Sequence, residues 1–76
     1  MITLEQFINL CNLEGAYFLV AIEERENCWH IKLGASPKIG RTLDRLEKHY
    51  EALVKEVTFS CEEGNAVILL TLESSI

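Results

Sequence analysis

Proline occurs once and glycine only four times in this 76-residue chain. With no low-complexity stretch either, collagen-like, proline-rich and linker-type organisation is excluded. The three cysteines, Cys11, Cys28 and Cys61, form no close pair and leave one over. That excludes a disulfide framework and reads as reduced thiols serving as small apolar side chains. Neither C-x-x-C nor H-x-x-x-H spacing occurs, so the usual zinc signatures are missing. There is no glycine-rich phosphate loop, and Gly34, Gly40 and Gly64 stand at junctions where a turn or a helix start accounts for each. The longest apolar run, Ala16 to Ile22, is too short to cross a bilayer. The start, Met1-Ile2-Thr3-Leu4-Glu5, lacks the basic flank and apolar stretch of a signal peptide, so a cytoplasmic location without membrane contact is expected. Basic residues are scarce too: seven Lys and Arg against twelve Asp and Glu give a net charge of −5.

What is present is a globular composition, with 49% apolar and 25% charged residues, and the expectation is one compact domain over residues 1–76. A chain of this length buries only about 60% of its unfolded surface. Residues 42–73 echo residues 3–34 at an offset of 39: Thr3-Leu4-Glu5-Gln6-Phe7 aligns with Thr42-Leu43-Asp44-Arg45-Leu46, and Glu23-Glu24 with Glu62-Glu63. Identity is low and the weight rests on hydrophobic phase. Phe18, Val20 and Ile22 align with Val57, Phe59 and Cys61, and Trp29, Ile31 and Leu33 align with Ile68, Leu70 and Leu72.

Thr3 followed by Gln6 is a capping-box pattern, and Leu4, Phe7, Ile8 and Cys11 fall on one stripe, predicting a helix from about Leu4 to Glu14 that ends at Gly15. Tyr17–Ile22 and Cys28–Leu33 read as a hairpin of two strands. Ser36-Pro37 opens a second helix, along which Ile39, Leu43, Leu46, Tyr50 and Leu53 recur at 4-3-4-3 spacing. Val57–Cys61 and Ala66–Leu72 form a second hairpin, with Gly64-Asn65 suited to a type II′ turn. That turn sets Cys61 opposite Ile68 and Phe59 opposite Leu70, and the equivalent first register sets Ile22 opposite Trp29. The fold class is therefore α+β: a pseudo-duplicated αββαββ chain, its four-stranded antiparallel sheet carrying both helices on one face. The strand order stays open. Duplication favours equivalent strands in the centre, whereas the two most apolar strands, the first and fourth, are not equivalent.

Four groups of residues are candidate sites. The sheet face opposite the predicted core carries Tyr17, Leu19, His30, Val67 and Leu69, too apolar in its middle for open water, which marks it as a protein interface. The alternative is that one helix covers each face and these residues are core. Along the second helix Lys38, Arg41, Arg45 and Lys48, with Lys55, form a basic ridge, and residues 32–49 carry a net charge of +3 against −8 elsewhere. Such a ridge suits an anionic partner, though no aromatic residue is interleaved for base stacking and a solvated helix face explains it as well. The glutamates at both hairpin tips keep strand edges soluble or meet a basic partner. Cys28 and His30 share one side of a strand, but Cys61 lies on the other, and side chains two apart on a strand are about 7 Å apart. No catalytic residue, metal or cofactor is expected. The resulting expectation is a non-enzymatic protein–protein interaction module, an adaptor, inhibitor or small regulator, forming a homodimer through the outer sheet face. The alternative is a nucleic-acid-binding protein using the basic ridge.

Overall fold

The computed structural model describes residues 1–13, 15–36, 40 and 43–74, leaving aside the side chains of Asp44 and Arg45. Helix α1 spans Leu4–Leu10 and starts on the capping box read from the sequence: the Gln6 N–H donates to Thr3 Oγ1 at 3.2 Å, and the Thr3 N–H donates to Gln6 Oε1 at 2.9 Å. It ends earlier than predicted. Asn12 takes a left-handed conformation (φ 55°), and the Leu13 N–H donates to the Ile8 carbonyl at 3.0 Å, closing a Schellman motif before Gly15 is reached.

Four antiparallel strands follow: β1 (Phe18–Arg25), β2 (Cys28–Ala35), β3 (Leu53–Glu62) and β4 (Asn65–Glu73), in the order β1-β2-β4-β3. The two central strands, β2 and β4, correspond at the 39-residue offset, so the sheet takes the arrangement that duplication favours. The halves differ otherwise, and duplication itself is not shown. In place of a second α-helix the chain forms a 3-10 helix over Leu43–His49, and β3 starts at Leu53, which the sequence had placed on that helix. Ile39 lies outside the described residues. The architecture is α+β, and no helix among the described residues is long and apolar enough to cross a membrane.

Both hairpin registers differ from the prediction by two residues. Ile22 pairs with Ile31, Phe59 with Ile68 and Cys61 with Ala66. The second turn is Glu63-Gly64, both with positive φ (51° and 81°), the requirement of a type I′ turn, whose twist matches that of the flanking strands. Because the shift is even, each side chain keeps its predicted face. A bulge between Val54 and Glu56 leaves Lys55 as the extra residue.

On the inner face, α1 and the 3-10 helix send Leu4, Phe7, Ile8, Leu43 and Leu46 onto Phe18, Ile31, Leu33, Val54, Leu70 and Leu72. These two elements thus pack on the same face. The layer they form is short, and the β3–β4 hairpin projects past it. Phe59, predicted as core, is 69% exposed, and Ile22, Cys11 and Cys61 are exposed as well. Trp29, predicted as buried, is half-buried, its ring 5.2 Å from that of His49 at the end of the 3-10 helix. Desolvation, and then the neighbouring Lys48, lower the His49 pKa, while Glu24 opposes them.

Candidate functional site

Hydrogen bonds between strands place one row of side chains after another across the outer face. Leu19, Gly34, Val67 and Ser60 form one row; Ala21, Lys32, Leu69 and Thr58 the next; and Glu23, His30, Thr71 and Glu56 the third. Among the described residues no helix covers this face. Leu19 is 59% exposed and Leu69 37% exposed; Ala21, beside Leu19 on β1, is open as well, with Lys32 between it and Leu69. Tyr17, 53% exposed, stands just before β1 at the end of the same surface. These apolar groups border two shallow grooves, one lined by Leu19, Ala21, Gly34 and Val67, the other by Ala21, His30, Leu69 and Thr71.

A charged side chain stands among these apolar groups. Lys32 on β2 forms an ion pair with Glu62 on β3, reaching diagonally across β4. That reach passes Val67, which lies between them and is buried (4% exposed) although no helix covers this face among the described residues. The lysine stem supplies the apolar cover and keeps its charge at the rim. The sequence had Val67 and Lys32 on this face but not Glu62 as the partner, a link that only the β3–β4 register reveals. The Thr71 hydroxyl and His30 Nδ1 share a hydrogen bond at 3.4 Å, on an exposed part of the face.

The other candidates are placed as follows. Lys48 is exposed on the 3-10 helix, and the backbone of Arg45 lies on the same element. Lys38 and Arg41 fall outside the described residues. Lys55 belongs to β3 rather than to any helix, so it does not continue a helical ridge. At the first hairpin tip the Arg25 guanidinium holds Glu23 at 2.7 Å. Cys28 and His30 lie on β2, while Cys61 projects from the opposite face of the sheet, as expected. Among the described residues no three His, Cys, Asp or Glu side chains come together in a way that could hold a metal ion. A scan of protein-family models, a search of characterised proteins and a search of solved structures each return no match to this chain.

Proposed function

We propose that this protein is an interaction module that acts by binding, and that it self-associates through the outer face of its sheet. The observation that carries this reading is the group of apolar side chains Leu19, Ala21 and Leu69, exposed around Lys32 and bordered by Glu62, Thr58 and Thr71, on a face that no helix covers among the described residues. An apolar centre within a polar rim is the composition of a protein interface. Size supports the same reading. At about 4.8 Å between strands and 3.3 Å per residue, a four-stranded sheet of this length presents roughly 500 Å² per copy. Two copies then bury about 1,000 Å², the lower bound for a specific contact. A second copy is the simplest occupant, because a twofold axis lets one apolar centre cover another.

Leu69→Lys tests the proposal. Leu69 sits on a central strand in the middle of the patch, and a lysine there meets its own symmetry mate near the axis. Light scattering coupled to size exclusion should show the chain mass fall, with an unchanged circular dichroism spectrum. A folded variant of unchanged mass would refute the face contact. Added salt should leave the unmodified association intact, because burial of apolar surface is weakly screened, whereas a phosphate-binding ridge would release its ligand steeply.

A further inference from the structure

The two edges of the sheet are not equally protected. Arg25 and Cys28 flank a two-residue turn and so bond to each other, and the Ser36 N–H donates to the Tyr17 carbonyl at 3.3 Å. Odd residues of β1 therefore bond to β2, and Val20, Ile22 and Glu24 direct their backbone groups outward. That edge ends in Glu23, Glu24 and Arg25, and at its start Gly40 packs so closely on Phe18 that an added Cβ would stand 2.9 Å from the Phe18 carbonyl oxygen. Charge and a covering loop are two of the ways in which proteins blunt a strand edge.

The β3 edge is covered only at its beginning. The Val54 N–H donates to the Ile2 carbonyl at 2.8 Å, the Leu4 N–H donates to the Ala52 carbonyl at 2.9 Å, and the bulge follows at once. Beyond it, Glu62 and Asn65 flank the second two-residue turn, so the even residues bond to β4 and Val57, Phe59 and Cys61 direct N–H and C=O outward. Among the described residues these groups have no backbone partner. The stretch Val57-Thr58-Phe59-Ser60-Cys61 carries no charge and no proline, and at its middle stands Phe59, 69% exposed. An edge with that composition pairs with another strand.

We propose that a second copy of this chain pairs antiparallel with β3 along Val57–Cys61, about a twofold axis at Phe59. The open groups are symmetric about Phe59, so this register bonds Val57 to Cys61 of the second copy, Phe59 to Phe59, and Cys61 to Val57, leaving none unpaired. The two Phe59 rings become cross-strand neighbours on the inner face. Lys55 falls beside Glu63 of the second copy, an opposite charge. Glu56 falls opposite Glu62 of the second copy, whose carboxylate is already neutralised by that copy's Lys32. The partner's turn ends where the Ile2–Leu4 segment begins, so the open stretch accommodates one copy of itself. The result is a continuous eight-stranded sheet with both helical layers on one side.

This contact is separate from the outer-face contact and compatible with it. The edge axis stands normal to the sheet, and the face axis lies in the plane between stacked sheets. With the face axis running across the strands the two perpendicular axes meet, and they then close into a four-chain assembly instead of a fibre. Phe59→Lys, Leu69→Lys and the double variant, weighed in solution at one concentration with circular dichroism as the fold check, separate the two. The expected masses are four chains for the unmodified protein, two for each single variant and one for the double. An unmodified dimer that Phe59→Lys reduces to one chain while Leu69→Lys does not would uphold the edge and reject the face. A folded Phe59→Lys with the unmodified mass overturns the edge contact. Phe59→Ser, which removes the ring pair without adding charge, is measured beside it and decides the question if the lysine variant is unfolded. Its expected result is at least a tenfold weaker association, and an unchanged association also overturns the edge contact.

Discussion

The two faces of this sheet are built from the same four strands and both carry apolar side chains, yet one holds a core and the other does not. On β2 and β4, Ile31, Leu33, Leu70 and Leu72 point inward and are almost completely buried. Leu69, next to Leu70 on β4, points outward and is 37% exposed. Alternation along a strand assigns a residue to a face; burial needs cover, and among the described residues helical cover lies on one face. Even on the inner face the rule holds locally, since Phe59 shares the side of Val57 and Ile68 but lies where the helical layer has ended. The difference teaches that, Val67 under the Lys32–Glu62 bridge apart, the apolar side chains of this sheet are fully buried only where α1 or the 3-10 helix covers them.

Leucine truncation should break the comparison most sharply. Leu46→Ala removes a fully buried side chain from the 3-10 helix and should cost about 3 kcal/mol, within the usual span for buried leucine. Leu19→Ala on the outer face should change folding stability by less than about 0.5 kcal/mol, because no cavity forms within the chain. Denaturant melts at a chain concentration low enough to keep the protein dissociated measure both. Equal losses would mean that the outer face is core.

A smaller effect follows from Trp29. Its inward direction was legible in the sequence, but its burial is partial, so Trp29→Ala should cost about 2 kcal/mol, less than a fully buried aromatic. A loss above about 4 kcal/mol would show that the 3-10 helix closes more tightly over the inner face than the Trp29–His49 contact implies.

How much could be read from the sequence follows from which physical signal each element left. Strand faces were legible because alternation with period two survives a two-residue error in the turn. Glu63-Gly64 and Gly64-Asn65 both supply turn residues, and nothing local separates them. The sequence does not separate an α-helix from the 3-10 helix at this point, because Leu43 and Leu46, three apart, line one face of either. The same spacing continues to Leu53, which stands half-buried at the start of β3. The outer-face residues Tyr17, Leu19, His30, Val67 and Leu69 followed from alternation, whereas the Lys32–Glu62 bridge across Val67 depends on register and left no sequence signal.

Acid should sharpen the comparison more gently, and on the inner face alone. His49 sits against Trp29 and has its pKa lowered from 6.5 by desolvation and by Lys48, so the folded chain holds this proton less tightly than the unfolded chain does. Stability is therefore full above the unfolded value and declines as pH falls through it toward the lower folded value. Melts at pH 7.5 and 5.5, compared with those of His49→Gln, should show a small acid destabilisation that the variant lacks. The same loss in both proteins would assign it to other groups.

The account rests on the outer face being covered by another molecule of the same chain while the inner face folds without help. Sedimentation of the unmodified protein across a dilution series, from high micromolar to low nanomolar, tests this most directly. The predicted result is a multiple of the 8.7 kDa chain mass at high concentration that dissociates on dilution into chains retaining the full circular dichroism spectrum. A protein already monomeric at high micromolar concentration would contradict the account, as would one that loses its fold as it dissociates.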